Sequence, residues 1–367
     1  MTTIDARPAT PTRGLSHATR ARITTVLTPV ASVMAALLVG AVLIAFAGEN
    51  PVDIYRTMFS EALFTRSGWR ETLLQATPLA LIAVGLGLGF RAGVWNIGAE
   101  GQLIVGAVLS IAVIGSVNDA PGIVLIPLGL VLGAVGGALW ASIAGYLAVR
   151  HGVNTVISTL LLVFIAEPLL NWAVRSPLKD PESFLPQSRV IGNATLPQMG
   201  FLDLHIGFLL VLIVVPVASY VLRRTRFGFL IRAHGGNRFA VYANETRESV
   251  MPMAMLVLGG SLAGIAGFIQ LAGVQTRVGS GTAAGFGFTA IIVAILGRND
   301  PVGVLIAAVA LSAMLVGAEA AQRDSGLPVA LVQSVQALVV IFVAAGDAVA
   351  SRVSARRARR RSRAVLP

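Results

Sequence analysis

Cysteine is absent from the 367 residues, and lysine occurs once, at Lys179. The lack of cysteine excludes disulfides, thiolate metal sites and cysteine nucleophiles. A phosphate-binding P-loop needs a lysine directly before Ser or Thr at the end of a glycine-rich turn, because that lysine contacts the nucleotide phosphates. Lys179 stands in a proline-rich stretch instead, so the chain has no such loop. No metal site is predicted either, since no metal-ligand spacing links the histidines His17, His151, His205 and His234.

Charged residues are also scarce, at 12% of the chain, where a soluble domain carries about a quarter. Hydrophobic residues make up 55%, and the mean hydropathy is +0.80. These values favour a lipid bilayer as the main solvent. The net charge of +11 does not indicate nucleic acid, because the arginines stand in short patches between apolar stretches, as in the cytoplasmic loops of membrane proteins.

Long apolar stretches occupy most of the chain. A spanning helix needs about 20 mostly apolar residues, and counting stretches against that length predicts an all-α, polytopic membrane protein with about ten transmembrane helices. The predicted spans are Ile23–Gly48, Thr72–Phe90, Gly101–Asn118, Ala120–Val149, Gly152–Val174, Leu204–Leu222, Ser249–Thr276, Val278–Gly297, Pro301–Ala318 and Ser325–Gly346. Spacings such as Gly129-Gly133-Gly137 and Gly260-Gly264 are typical of closely packed membrane helices.

The distribution of basic residues predicts the orientation. With both termini in the cytoplasm, most of the 28 lysines and arginines fall on the cytoplasmic side, as the positive-inside rule prefers. We therefore expect a cell-membrane protein with a cytoplasmic tail at 1–22, a transmembrane domain at 23–346 and a basic cytoplasmic tail at 347–367. Within the domain, 175–203 is an external loop and 223–248 a cytoplasmic one. Predicted helices two to five and seven to ten then form inverted blocks, a common transporter architecture.

The segment from Gly85 to Gly106 combines many glycines with polar side chains between two apolar helices. It is typical of a helix end, an irregular turn and a helix restart, where polar groups bind freed backbone or line a wet cavity. One interpretation is a tight loop in which Arg91 pairs with Glu100. The other is direct solute contact by Asn96, Glu100 and Gln102.

Further polar and aromatic residues inside predicted helices are candidates for the substrate pathway. Glu167 and Asn171 are four residues apart and share a helix face, and an intramembrane carboxylate is a functional candidate by default. The alternative for Glu167 is an interfacial structural residue, and for the phenylalanines it is packing in the core or lipid. The remaining candidates are Thr155, Thr159, Gln270, Phe286, Phe288, Gln333 and Gln336.

Two motifs resemble a known family. Asn96-Ile97-Gly98-Ala99-Glu100-Gly101-Gln102 resembles the Asn-Ile-Gly-x-Glu-Gly-Gln signature of ABC permeases of the branched-chain amino acid/simple sugar type, and is most similar to their nucleoside branch. The stretch from Gly285 to Phe288, followed by Ala294–Pro301, is similar to that branch's second conserved block. The resemblance covers roughly residues 30–345.

This resemblance implies a type II importer fold and a set of partners. They are a separate ATPase subunit that uses the ATP, a second permease subunit in a homo- or heterodimer, and an extracytoplasmic substrate-binding protein. It also implies a cytoplasmic coupling helix within Phe227–Thr246 that docks on the ATPase. The coupling residues implied are Phe227, Gly228, Arg232, Ala233, Gly236, Asn237, Arg238, Ala240 and Tyr242.

We therefore expect the permease subunit of an ABC importer for nucleosides, with no cofactor and no enzymatic site of its own. The alternative within the family is a simple sugar or a branched-chain amino acid as the solute. A carrier coupled to protons or sodium belongs to another class and is expected to have a chain of intramembrane acids. Glu100 and Glu167 alone qualify here, and both sit near the ends of predicted helices.

Overall fold

A computed structural model of the chain describes residues 34–117, 119–200, 202–236, 250–283 and 285–325, with residue 31 and a few positions between 334 and 346. The chain divides into two compact units. One contains residues 1–51 and 329–367, and its described helix is α1, Met34–Phe46. The other contains residues 52–328 and carries the remaining elements.

In the described residues of the second unit, the regular elements are helices and one short ribbon. Its helices are α2 (Pro51–Phe64, beginning one residue before the unit), α3 (Arg66–Arg91), α4 (Ala99–Ile114), α5 (Gly122–His151), α6 (Thr155–Arg175), α7 (Gly207–Arg224), α8 (Arg226–Gly236), α9 (Val250–Gln270, continued by a π-turn at Leu271–Gln275), α10 (Phe286–Leu296) and α11 (Pro301–Ser325). Strands β1 (Gln198–Met199) and β2 (Leu204–His205) pair antiparallel, and a 3₁₀ turn covers Gly192–Ala194.

Six of the described helices are long and apolar enough to cross a bilayer: α3, α5, α6, α7, α9 and α11. Helices α1, α4 and α10 are apolar but shorter. The prediction of one continuous helix over Val278–Gly297 is wrong, because residues 276–283 are irregular and α10 begins at Phe286. Helix α2 is not among the predicted spans. Most of the predicted span Ser325–Gly346 lies outside the described residues, so the count of ten helices stays a prediction.

Helix α3 is the centre of the bundle. In its most apolar stretch 89% of the residues are buried, against 28% in α5 and in α7. It contacts five other helices, α7 to α11. The helix starts at an N-cap, where the Thr65 hydroxyl accepts a hydrogen bond from the Gly68 amide at 2.9 Å, which satisfies one of the free amides of the first turn.

Glycines allow α9 to cross α4 and α5 at backbone contact. A Cβ atom on Gly133 of α5 would lie 2.6 Å from the carbonyl oxygen of Gly264 in α9. One on Gly137 would lie 2.9 Å from the Gly264 Cα, and one on Gly106 of α4 would lie 2.8 Å from the Gly264 oxygen. Since no side chain fits at these positions, the predicted small-residue spacings mark the real crossing points.

The two blocks of helices are interleaved. In each block a long helix, an irregular break, a short helix and another long helix follow one another: α3, α4 and α5 in the first, α9, α10 and α11 in the second. The long first helix of each block packs against the other block, so that α3 contacts α10 and α11 while α9 contacts α4 and α5. The unit at 52–328 therefore cannot be separated into two independent halves.

The bundle has two distinct ends. At the end that we call the α8 end, the C-terminus of α3 meets α8 and the turn between α10 and α11. At the opposite end, the loop end, residues 176–200 and 202–206 lie over the start of α3 and the end of α9. Ion pairs between Arg66 and Asp203 (3.1 Å) and between Arg277 and Asp180 (2.9 Å) connect this loop to helix α3 and to the irregular segment that follows α9.

We predict that Gly264→Ala destabilises the protein. The added methyl group would meet the backbone of α5, and overpacking of this kind costs about 1–3 kcal/mol. The melting temperature of the purified protein in detergent is expected to fall. Gly281→Ala is the matched control, because a Cβ atom there meets nothing within 4 Å. Equal melting temperatures for the two variants would contradict the close crossing.

Candidate functional site

The break between α3 and α4 folds back along the last turn of α3. Gly93 has a φ of 73°, a value that favours glycine. The Val94 amide then donates to the Gly89 carbonyl at 2.9 Å, and a Cβ atom on Gly89 would lie 3.1 Å from the Val94 oxygen. As a result α4 starts among buried residues, behind the end of α3.

Asn96 and Gln102 hold this break in shape by pairing with each other. The Asn96 amide nitrogen donates to Gln102 Oε1 at 3.0 Å, and the Gln102 nitrogen donates to Asn96 Oδ1 at 3.1 Å. The Gly98 amide donates to the same Asn96 oxygen at 2.9 Å. Both side chains are almost completely buried. They are thus engaged within the subunit, which suits a positional role.

Thr159 ties α6 to the same break. Its hydroxyl accepts from the Ile97 amide at 3.1 Å and donates to the Thr155 carbonyl at 2.7 Å. A Cβ atom on Gly98 would lie 2.7 Å from the Thr159 carbonyl oxygen, so glycine is required for this approach. Thr155 takes part through its backbone and lies in the first turn of α6, after the Asn154 cap.

Glu100 connects the two blocks. Its carboxylate oxygens accept hydrogen bonds from the backbone amides of Gly285 (2.7 Å) and Gly287 (2.5 Å), at the N-terminus of α10. The amides at a helix N-terminus lack partners within the helix, and the helix dipole favours a negative charge there. Glu100 is 3% exposed, and a Cβ atom on Gly287 would lie 2.5 Å from the Glu100 Cα. The starts of α4 and α10 therefore meet inside the bundle.

The interpretation that pairs Arg91 with Glu100 is wrong, because the structure gives each side chain another partner. Arg91 donates to the Asn299 carbonyl oxygen at 2.8 Å and lies 3.6 Å from Asp300. Asp300 also accepts from Arg223 at 2.8 Å. Partial burial acts to raise the pKa of Asp300, but Arg223 and Arg91 outweigh it and hold this pKa below its ordinary value. These contacts join α3, α7 and α11 at the α8 end.

Glu167 and Asn171 lie on the face of α6 that points out of the bundle. Glu167 is exposed, and the Asn171 amide donates to the Glu167 carbonyl oxygen at 3.1 Å. Their neighbours on this face are apolar and exposed, among them Phe164 and Trp172. An acid on such a face is costly in contact with lipid. The structure does not bring Glu167 and Asn171 into the buried cluster around Glu100.

The other pathway candidates are dispersed. Gln270 is buried at the end of α9, directly before the π-turn. Phe286 packs against the core, whereas Phe288 is 39% exposed. Gln333 and Gln336 lie outside the described residues, so their placement stays a prediction.

Helix α8 presents an exposed apolar and basic face. Gly228, Ile231 and His234 are buried on one side, at the spacing of one helix face, and the His234 ring lies 2.6 Å from the Ala92 carbonyl oxygen. Phe229 is 61% exposed on the other side, a position that the sequence did not single out. Of the implied coupling residues, Phe227, Arg232 and Gly236 are exposed, Ala233 is half-buried, and Asn237, Arg238, Ala240 and Tyr242 lie outside the described residues.

At the loop end, residues 187–191, which we call the strap, are hydrogen-bonded to the break that precedes α10. The Ser188 amide donates to the Val278 carbonyl and the Ile191 amide to the Thr276 carbonyl, both at 2.9 Å. The Val278 amide returns a bond to the Ser188 hydroxyl at 2.9 Å. The external loop is thereby continuous with the second block.

His205 is buried under this loop, and no sequence pattern singled it out as a site. Its ring occupies the space between Gly207 and Gly273, and within the described residues neither ring nitrogen has a hydrogen-bond partner. Burial, together with the charge of Arg70, lowers the pKa of His205 to about 4. Over the part of the chain that the structure describes, no three His, Asp or Glu side chains gather as a metal site.

A bundle of apolar helices with two interleaved blocks and two helices that start beside each other within it is typical of membrane transporters. Comparison with known proteins then gives the family. The model of the family described as branched-chain amino acid transport system / permease component matches residues 69–344. The chain belongs to this family, which confirms the resemblance inferred from Asn96–Gln102. No solved structure matches the chain.

Three relatives illustrate the range of the family. The chain is 38% identical to a glucose ABC transporter permease of Haloferax volcanii, over 86% of each protein. It is 30% identical to a guanosine ABC transporter permease of Bacillus subtilis, over 89% of this chain and 95% of the relative. It is 29% identical to a nucleoside ABC transporter permease of Lactococcus lactis, over 87% and 90%.

Membership of the family also confirms the predicted partners. They are those of a permease component of an ABC importer: a separate ATPase subunit, a second permease subunit and a substrate-binding protein.

We predict that His205 makes stability depend on pH between about 6.5 and 4. The unfolded chain takes up this proton near pH 6.5, whereas the folded chain resists it until about pH 4. The free energy of unfolding therefore falls as the pH falls through this window, by about 3 kcal/mol. Melting temperatures of His205→Leu are expected to decline less steeply over the window than those of the wild type. His151→Leu, which removes an exposed histidine, is the control and is expected to keep the full slope.

Proposed function

We propose that this chain is the permease subunit of an ABC importer that moves nucleosides into the cell, using ATP hydrolysed by a separate subunit. Both termini are cytoplasmic in this proposal, so the α8 end faces the ATPase and the loop end faces the substrate-binding protein. The nucleoside and guanosine permeases among the relatives support this choice of solute.

The observation that carries the proposal is that the Glu100 carboxylate is fully used in binding the backbone of this subunit. It is the one buried carboxylate among the described residues, and both of its oxygens are bound to the backbone of α10. The other buried polar groups in the described part of the bundle are hydroxyls, amides and two histidines. A zwitterionic amino acid needs charged partners on its pathway, whereas a neutral solute rich in hydroxyl groups does not. The interior therefore favours a nucleoside or a sugar over an amino acid.

The exposed face of α6 is the best candidate for the pathway. Glu167 and Asn171 supply hydrogen-bonding groups there, on a surface that is otherwise apolar. A carboxylate on a spanning helix usually faces a water-filled cavity or a protein partner. We place the second permease subunit opposite this face, with the solute passing between the two subunits.

Glucose is the second candidate solute, favoured by the permease of Haloferax volcanii at 38% identity. Glucose and nucleosides both need neutral hydrogen-bonding groups, but only a nucleoside carries a base that stacks on an aromatic ring. Phe288, which is partly exposed at the start of α10, suits that contact. The two solutes are therefore distinguishable by competition.

We predict that uptake of labelled guanosine in cells that express the complete importer is suppressed by excess guanosine or adenosine. Ribose and leucine are expected to have no effect. Competition by glucose, without competition by nucleosides, would show that glucose is the solute.

We predict that Asn171→Ala raises the KM for uptake about two- to tenfold, the equivalent of one hydrogen bond of about 0.5–1.5 kcal/mol. Gln198→Ala, at the exposed ribbon, is the control variant and is expected to leave KM unchanged.

We predict that Arg232→Glu uncouples ATP hydrolysis from transport. The side chain is exposed on α8 beside Phe229, and a surface of this kind outside the bilayer is typical of a protein interface. The variant is expected to reach the membrane normally but to retain less than about a tenth of the uptake. Arg150→Glu, at the end of α5, is the matched control. Normal uptake by Arg232→Glu would remove α8 as the docking helix.

A further inference from the structure

Helix α10 is unusual because it is short and is held at both ends. Its 11 residues extend about 16 Å at 1.5 Å per residue, roughly half the thickness of a bilayer core. It starts beside the buried Glu100 and ends at Leu296, close to the α8 end. It therefore connects the interior of the bundle to the surface where we place the ATPase.

The C-terminal end of α10 is tied to α3. A Cβ atom on Gly87 of α3 would lie 3.3 Å from the Asn299 Cα, and the Arg91 side chain donates to the Asn299 carbonyl oxygen. Arg298 and Asn299 both have a φ of 55°, a conformation that the tight turn into α11 imposes. Ala92, directly after α3, is in turn bound by His234 of α8. A displacement of α8 thus acts on Ala92, the direct neighbour of Arg91, whose side chain holds the end of α10.

At the N-terminal end of α10, the Phe286 amide donates to the carbonyl oxygen of Ala283 at 3.0 Å. Ala283 belongs to the break at 276–283, which is bound to the strap. Besides the three hydrogen bonds between the strap and this break, Arg277 pairs with Asp180 at 2.9 Å, and the Arg277 and Asp180 side chains are 35% and 13% exposed. The Gly279 amide also donates to the Thr282 hydroxyl, which makes the break a compact turn. Strap, break and α10 are therefore continuous from the loop end to the α8 end.

We infer that the strap, the break at 276–283 and α10 move as one body that relays binding at the loop end to the ATPase at the α8 end, and that Glu100 is the positioning residue that holds this body to α4. The inference rests on the proposed ABC import function. Glu100 carries this role because it supplies both acceptors for the free amides of α10. Without it, two amides in the interior lose their partners and the start of α10 is released from α4.

The first test joins the strap to the break covalently. A Cβ atom on Gly279 would lie 3.9 Å from the Gln187 Cβ, within the usual range for a disulfide, and Gln187 and Gly279 are bridge partners. Because the chain has no cysteine, Gln187→Cys combined with Gly279→Cys forms one defined pair. In proteoliposomes that contain the complete importer, the oxidised pair is expected to transport within about twofold of each single variant. Loss of transport that a reductant restores would show that the strap and the break move apart, and would overturn the inference.

The second test removes the cap. Glu100→Gln replaces one acceptor with an amide donor, and Glu61→Gln, at an exposed acid on α2, is the matched control. The measurement is ATP hydrolysis by the complete importer with and without the solute-loaded binding protein. Glu100→Gln is expected to keep basal hydrolysis within about twofold of the wild type, to lose at least about fivefold of the stimulation, and to keep the apparent affinity for the binding protein. Full stimulation in Glu100→Gln would overturn the inference.

The two tests separate this inference from the proposed function. Both use whichever solute the wild-type complex transports, so a change from nucleoside to glucose leaves them valid. A wild-type complex that shows no stimulated hydrolysis at all contradicts the proposed function. A stimulated wild type with an equally stimulated Glu100→Gln variant contradicts the relay alone.

Discussion

The carboxylate of Glu100 satisfies two amides at the start of α10, and this contact fixes the two interleaved blocks to each other where α4 and α10 begin. A helix that starts at a bilayer surface finds water for its free amides, whereas α10 starts among buried groups. The partner of those amides comes from α4, 185 residues earlier in the chain. Because α4 starts at the same place, both breaks in the bundle are stabilised together. Asn96, Gln102 and Thr159 then fix the break on the α4 side, so that Glu100 is presented in one position.

The glycines complete this arrangement by bringing backbones together. Gly264 lies against both α4 and α5, and Gly287 lies against the start of α4. Close approach strengthens packing between membrane helices, where apolar surface alone gives little preference for a partner. The α8 end is held differently, by ion pairs around Asp300 and by the His234 contact. Close backbone packing and buried hydrogen bonds thus hold the inside of the bundle, whereas ion pairs contribute at the α8 end.

Much of the helical content could be predicted, because an apolar stretch of sufficient length has few alternatives in a bilayer. The spacing of Gly260 and Gly264 also marked a real crossing. The break at 276–283 could not be predicted, since Val278–Gly297 is as uncharged as a spanning helix and its irregular start depends on hydrogen bonds from the strap. Likewise α2 is too short and too charged to be predicted as a spanning helix.

At the candidate site, the motif at Asn96–Gln102 identified residues that do form the buried cluster. The predicted pairing of Arg91 with Glu100, in contrast, was based on their proximity in sequence. The true partners are Asn299 for Arg91 and Gly285 for Glu100. Both are distant in sequence, so no local pattern could predict them.

The interleaved packing has a consequence for how the chain is made. Helix α3 is the most buried spanning helix of the unit, yet its partners α10 and α11 begin about 200 residues after it ends. At 5–20 residues per second, roughly 10–40 s of synthesis separate the two events. During this interval α3 sits in the membrane without two of its partner helices, and the Glu100 carboxylate of α4 lacks the amides of α10. Helix α3 is therefore synthesised and inserted well before the helices of the second block, and its final packing can form only after those helices have been synthesised.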